Sequence, residues 1–544
     1  MFKYYNFEVL ISDNEEEKQR ALTQIKQIFK VTPRPAFGRN SHNLKNDRLK
    51  NIYSFKLFSS RSLVWDKAQM LANIDGVLDV DPIIKTKVSF ELEEDEAPLN
   101  EMQNIRQKGR PDPKWYLSNS KFPEAIAYAK AQYQIGEGHY NGGETNLNLA
   151  HLDTGYTDHP ELSKVKRELG YNYVNTILDR ILSIFIGRPS KRNAKDRLRN
   201  ARPFKWASHG TSTAGIIVGI NTNNRGITGD APDFTNGVFP HLNLIPYRIS
   251  ETIVSFNNKM AHAARQAMID RCQVITMSHA GLLRIRSWKE AVREAYENGV
   301  IWVAAPGSHI KGVKKIWTYP AKFPETITAT VSTFDNKAWE KGFGGKEVDI
   351  AAPGLDMYVP FSRKGKKYAY RWSEGSSFST PITAAAAALW LAHHGQDKLN
   401  ALYLKPWQKV EAFRNCLKES ARRPDGWNTQ IYGAGILDVL SLLKHPLPMP
   451  ESLHHTSSKT DECSKKSLMV DWNDYILNKE ITFHTCCAKI ESQENDDNIF
   501  QKVEQRASKD AKIKMKHIVS SEENKIKSAE LKSHVKGFAD DWGY

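Results

Sequence analysis

From Pro113 to about Leu443, short apolar runs alternate with longer segments of helical spacing, and this alternation narrows the folds open to the chain. Strands are expected at Leu147–Leu152, Leu242–Ile249, Gln273–Met277, Val300–Ala305 and Thr326–Val331. These runs are largely apolar along their length instead of every second residue, as in strands covered on both faces. Helices are expected between them, at Gly210–Gly219, Ser255–Asp270, Ser287–Asn298, Thr380–His393 and Trp407–Glu419. The fold class is therefore α/β: a mostly parallel sheet with helices on both faces.

A chain of 544 residues is too long for one ordinary domain. Residues 1–90 read as a separate, small α+β domain. Strands are expected at Tyr4–Ile11, Tyr53–Phe58 and Val77–Ile84, with a helix opened by a Ser12/Glu15 capping box and a second at Leu63–Ile74. The acidic stretch Glu91–Glu96 begins a linker, residues 91–112, and the α/β domain takes 113–445. Pro446-Leu447-Pro448-Met449-Pro450 stops helical continuation. The remainder, 446–544, is polar and only weakly periodic, as in a partly helical or disordered tail.

Net charge is +15, which permits attraction to acidic partners but does not decide the fold. Basic residues crowd the segment from Arg188 to Arg202, yet no zinc-finger or RNA-recognition motif accompanies them, so a solvated insertion loop is expected and nucleic acid is not an expected partner. Five cysteines, at 272, 416, 463, 486 and 487, have neither the number nor the spacing of a disulfide framework or a zinc site. No metal ligands are assigned. No apolar run is long enough to span a membrane. The N-terminus lacks the apolar core of a secretory signal, which makes the cytoplasm the default expectation, with another secretion route left open.

Three segments carry the chemistry. Asp153 ends the apolar run Leu147–Leu152, at the carboxyl end of a strand, where open α/β sheets place their working residues. His209 opens a helix rich in small residues, Gly210-Thr211-Ser212-Thr213-Ala214-Gly215. Ser377 precedes Phe378-Ser379-Thr380-Pro381 and a long alanine-rich helix, so it lies where a helix dipole and amides can stabilise a developing oxyanion. An acid, a base and a hydroxyl are the parts needed to cut a peptide bond by acyl transfer. Each alone reads equally well as a turn cap, a surface histidine or a serine N-cap.

Taken together and in the order Asp, His, Ser, these segments resemble the subtilisin-like serine proteases. The resemblance covers roughly Trp115 to Leu443 and includes His159-Pro160-Glu161-Leu162, Tyr319-Pro320-Ala321, Val348–Gly354 and Tyr432-Gly433-Ala434-Gly435. It implies a serine endopeptidase acting on proteins or peptides. Asp153 would orient His209, His209 would take the proton from Ser377, and Ser377 would attack the scissile carbonyl. It also implies that the edge Ser278-His279-Ala280 pairs with the substrate backbone, His279 lining a side-chain pocket or facing solvent. No cofactor is required; calcium sites, frequent in the family, are not placed by this sequence.

One departure bears on activity. The family's oxyanion-hole asparagine is replaced here by Ser308, in Ala304-Ala305-Pro306-Gly307-Ser308. Losing such a donor costs about 10²–10³ in turnover. A catalytically weak relative that binds peptides or proteins through the same cleft is thus the alternative expectation. The N-terminal domain, through Phe55-Lys56-Leu57-Phe58 and Met70–Val77, resembles the inhibitory propeptide that precedes many catalytic domains of the family. A permanent accessory domain is its alternative.

Overall fold

The computed structural model describes residues 2–37, 47–60, 63–83, 109–174, 193–196, 208–220, 237–251, 258–281, 285–307, 318–363 and 366–456. Most of the expected linker, nearly all of the basic run, Ser308, and the tail from residue 457 with Cys463, Cys486 and Cys487 lie outside the described residues.

The N-terminal domain contains β1 (Phe2–Ile11), α1 (Glu15–Phe29), β2 (Arg34–Pro35), β3 (Ile52–Ser60), α2 (Val64–Ala72) and β4 (Val77–Ile83). Its sheet is antiparallel in the order β2-β3-β1-β4. Strand period two sorts the side chains of β1. Tyr5, Phe7, Val9 and Ile11 are buried in one apolar cluster with Ala21 and Ile25 of α1 and Ala68 and Leu71 of α2. The expected capping box does not form. Asn14 caps α1 by accepting from the amides of Glu16 and Glu17, while Ser12 accepts from the Asn14 amide. Asn14 is nearer the acidic first turn and takes two donors, so the helix begins there.

The larger domain follows with α3 (Trp115–Asn119), α4 (Phe122–Gln134), β5 (Asn148–Asp153), β6 (Tyr171–Asn172), α5 (His209–Val218), β7 (Asn243–Arg248), α6 (Lys259–Ile269), β8 (Val274–Met277), α7 (Arg286–Glu297) and β9 (Ile301–Ala304). It continues through β10 (Ile327–Ser332), β11 (Ile350–Pro353), the hairpin β12 (Met357–Arg363) and β13 (Lys366–Ser373), then α8 (Ser376–His394), α9 (Gln396–Leu402), α10 (Pro406–Glu419), α11 (Thr429–Tyr432) and α12 (Val439–Lys444). Seven parallel strands lie in the order β11-β10-β9-β8-β5-β7-β6. On one face Leu149, Leu244, Val274, Ile301 and Val303 meet α5 and the alanines of α8. On the other, Ala150, Leu152, Ile275, Met277 and Trp302 meet α6 and α7. Burial on both faces is why these strands carry apolar runs and not alternation. Residues Pro446–Thr456 lie back on this domain, with Tyr403 donating to the Pro448 carbonyl, Gln408 to that of Pro450, and His455 bonded to Glu297.

The outer side of α6 and α7 is where the first domain sits. Glu8, on the sheet face opposite Phe7, accepts from Asn258 at the start of α6 (2.5 Å). Asp81 accepts from the backbone amide of Arg286, the first residue of α7, and Asp79 from its guanidinium (both 2.5 Å). Carboxylates at helix N-termini complement the macrodipole there. Phe37, Leu49 and Ile52 join the apolar cluster of α6 and α7. Around them, Arg265 holds Asp47 at 2.6 and 2.9 Å and Glu294 at 3.3 Å, while Glu294 accepts the amides of Arg48 and Leu49 at 2.9 and 3.1 Å. Glu294 has no solvent exposure. Removing one partner from a buried ion pair leaves the other without compensation, at a cost of about 3–5 kcal/mol. Arg265→Leu is therefore expected to lower unfolding free energy by about that amount, measured by urea denaturation, and to loosen the N-terminal domain.

In the short 3-10 turn Pro160–Leu162, which packs against α5, Glu161 is buried and accepts the Tyr370 hydroxyl at 2.6 Å. Burial raises its pKa from 4.5 to about 8, against the smaller opposing effects of Tyr370 and Lys114. A carboxyl whose folded-state pKa is raised stabilises the fold fully below its unfolded value, and that contribution is lost as pH rises through about 8. Glu161→Gln keeps an acceptor for Tyr370 without a charge. Thermal unfolding of the two proteins should coincide near pH 4 and diverge by pH 9 in favour of the variant, by about 3–5 kcal/mol.

Candidate active site

Asp153 is the last residue of β5, and its neighbours β7 and β8 run parallel on either side, so its carboxylate emerges at the carboxyl edge of the sheet. Two glycines let the histidine helix approach. Gly155 has φ +101°, and a Cβ there would sit 2.2 Å from the Ala194 carbonyl oxygen. A Cβ on Gly210 would meet the Gly155 carbonyl oxygen at 2.1 Å. Neither position admits a side chain, and the close contact sets His209 beside Asp153.

His209 Nδ1 and Asp153 Oδ1 are 2.8 Å apart, both groups buried. The same oxygen accepts the Thr154 amide at 2.7 Å, and Oδ2 accepts the Thr213 hydroxyl at 3.2 Å. Burial works to raise the Asp153 pKa, but the imidazole of His209, by charge and hydrogen bond, overcomes it and holds the carboxyl at about 2. The carboxylate is thus ionised and fixes the imidazole with Nδ1 as donor.

Ser377 occupies the first turn of α8, which packs against α5 and against β8 and β9. The helix begins at Ser376, not at Thr380 as expected, so Pro381 lies inside it. Proline has no N–H, so the carbonyl four residues back, that of Ser377, loses its helical donor. Ser278 supplies the replacement, its hydroxyl donating to the Ser377 carbonyl at 2.9 Å. Ser376 is tied in turn to the Gly307 carbonyl at 3.0 Å, next to the position of Ser308. Ser278 and Gly307, from two segments named from the sequence, are thereby joined to the first turn of α8 by hydrogen bonds.

His279 does not face solvent: it is 1% exposed. Burial lowers its pKa from 6.5 to about 3, with smaller influences from Asp153 and His209. It is a neutral ring beside the Asp153–His209 pair. Gly281, just beyond Ala280, exchanges two backbone hydrogen bonds with Tyr319 at 2.8 and 2.9 Å. His151 and Thr213, which contact this site, were not among the residues expected from the sequence. Their signal was spacing: His151 is two residues from Asp153 on a strand, and Thr213 four from His209 on a helix. Among the described residues no group of three or more His, Cys, Asp or Glu side chains is arranged to hold a metal ion.

A model of the subtilase family matches residues 144–435, more than half of the chain, and spans Asp153, His209 and Ser377. The chain belongs to the subtilase family. This subtilase is 27% identical to subtilisin E of Bacillus subtilis strain 168 over 322 residues, covering 58% of this chain and 70% of that protein. It is 28% identical to the subtilisin of Bacillus pumilus over 277 residues, 50% of this chain and 85% of that one. The major intracellular serine protease of Bacillus subtilis strain 168 is 27% identical over 277 residues, with coverages of 50% and 75%. Among solved structures, fervidolysin from Fervidobacterium pennivorans, a keratinolytic enzyme related to subtilisin, superposes with a TM-score of 0.53 at 19% identity. That match covers 82% of this subtilase and 62% of fervidolysin, and it supports the fold.

Proposed function

We propose that this subtilase is a serine endopeptidase that hydrolyses peptide bonds through an acyl-enzyme on Ser377. The observation that carries the reading is the buried 2.8 Å pair of His209 Nδ1 with an ionised Asp153, on a helix packed against the one that bears Ser377. With Nδ1 committed to the carboxylate, Nε2 is left to accept the Ser377 proton as the hydroxyl adds to the scissile carbonyl. The imidazolium then returns that proton to the departing amine. Water repeats the sequence on the ester: His209 takes its proton, the oxygen adds, and Ser377 leaves with the proton restored. Ser308 is the side chain proposed to help bind the oxyanion, and Ser278–Ala280 the edge that pairs with the substrate backbone.

The N-terminal domain is proposed to act as an inhibitory propeptide. Support comes from its seam, where Glu8, Asp79 and Asp81 meet the starts of two catalytic-domain helices and Phe37, Leu49 and Ile52 enter their core. Residues 91–112 are then the segment cut to release it.

A fluorophosphonate probe tests the chemistry. Labelling of the wild type that disappears in Ser377→Ala supports the endopeptidase. Absence of wild-type labelling, also after Ser308→Asn, supports a peptide-binding relative with a weak catalytic centre. Mass spectrometry of the purified N-terminus tests the propeptide: cleavage within 91–112 in the wild type and none in Ser377→Ala is expected, whereas an intact linker in active protein would overturn it.

A further inference from the structure

Strand period two puts His151 and Asp153 on the same face of β5, and helical period puts His209 and Thr213 on one face of α5. The two pairs meet. His151 Nε2 lies 2.9 Å from the Thr213 hydroxyl oxygen, that oxygen 3.2 Å from Asp153 Oδ2, and His151 Nε2 itself 3.7 Å from Oδ2. All four side chains are buried. An imidazole behind a catalytic carboxylate is a polar group placed where an apolar residue would pack at less cost, since its desolvation must be offset by hydrogen bonding.

The Thr213 hydroxyl has one proton and four acceptors within reach: Asp153 Oδ2, the His209 and Gly210 carbonyls at 3.1 and 3.4 Å, and His151 Nε2 if that nitrogen is bare. If Nε2 carries the ring proton it donates to Thr213, and the hydroxyl proton is left for an oxygen. The ionised carboxylate then competes best, because bonds to charged acceptors are roughly twice as strong as neutral ones. If Nε2 is bare, the threonine proton is drawn away from Asp153.

We infer that His151 is a positioning residue: in its Nε2–H form it orients the Thr213 hydroxyl onto Asp153 Oδ2, so that the carboxylate presents Oδ1 to His209 in one fixed direction and with part of its charge already satisfied. This rests on the acyl-transfer reading of Asp153 and His209. His151 is neutral in this role, its pKa lowered by burial; the charged and titratable groups acting on it are Asp153 and His209.

Both arms of the test use the full chain. In the catalytically silent Ser377→Ala protein, the His209 ring is titrated by histidine-labelled NMR with and without Thr213→Val and His151→Leu. Removing the threonine proton in Thr213→Val leaves more of the carboxylate charge acting on His209 and should raise the proton affinity of the His209 ring about three- to tenfold. His151→Leu removes the donor that fixes the hydroxyl oxygen and lets its proton turn in part to the His209 carbonyl at 3.1 Å, so it should move the titration in the same direction by about two- to threefold. The double variant should go no further than Thr213→Val, and His151→Gln, which keeps a donor, should titrate as the parent. In the Ser377 background the acid limb of kcat/KM should move to higher pH by the same factor, with kcat about tenfold lower. An unmoved His209 titration in Thr213→Val, which is isosteric and expected to fold, would overturn the inference, as would effects that add in the double variant. Failure of the acyl-transfer reading would look different: no fluorophosphonate labelling of the wild type, with the His209 titration still shifted.

Discussion

Replacement of Ser377 by alanine is expected to lower kcat on a peptide substrate by about 10⁶-fold, with KM changed only a few-fold. The asymmetry follows from what the hydroxyl does. It makes no demand on the bound substrate until its oxygen adds to the carbonyl, so its loss falls on the transition state and leaves ground-state contacts in place. In the proposed reading those contacts belong to other residues, on the edge Ser278–Ala280 after β8. The alanine variant keeps α8 intact, because its start is held by Ser376 on the Gly307 carbonyl and by Ser278 on the carbonyl of residue 377. Steady-state kinetics of both proteins, with circular dichroism to show equal folding, provides the check. A variant within tenfold of the wild type would remove Ser377 from the mechanism.

Asp153→Asn should cost about 10⁴ in kcat at neutral pH, with the fold preserved. The carboxylate accepts from the Thr154 amide, from His209 Nδ1 and from the Thr213 hydroxyl. An asparagine of the same shape has one acceptor oxygen where the aspartate has two. If that oxygen takes the Thr154 amide and His209, its NH₂ group confronts the Thr213 hydroxyl. If the amide flips, its N–H points at Nδ1, and the imidazole must carry its proton on Nε2, where it cannot accept from a serine. Either arrangement also removes the negative charge that stabilises the imidazolium during attack. The measurement is kcat for Asp153→Asn beside the wild type; a loss below about tenfold would show that His209 is oriented without the carboxylate.

The parallel sheet was legible because strands covered on both faces cannot hide: Leu149, Ala150 and Leu152, or Val274, Ile275 and Met277, are apolar whichever way they point. Asp153 and His209 were legible by position, as the first polar groups after such a run and before a small-residue helix. What sequence could not show was non-local. The hairpin β12–β13 has no place in a strand–helix alternation and was not expected. Glu8, Asp79 and Asp81 look like the solvent side of a half-buried sheet, and only the helices of the second domain make them a seam. The expected start of α8 at Thr380 agrees with proline's preference for a first helical turn, a sound rule for an isolated helix. It failed because a hydroxyl from another strand end, that of Ser278, serves the carbonyl which the proline leaves bare. His151 was not expected: its spacing from Asp153 places it on the same strand face, but that spacing alone does not say what its ring meets there.

That last exchange has a mechanical corollary. The ring of Pro381 has unlatched the main chain of Ser377 from its helix, and the vacancy is filled from the ledge on which an incoming polypeptide is proposed to lie. If that ledge seats an incoming polypeptide as proposed, a displacement of it would reach the backbone of Ser377 through one O–H···O contact. Occupancy and alignment would then be coupled, and a cargo that seats poorly would leave the hydroxyl misaimed.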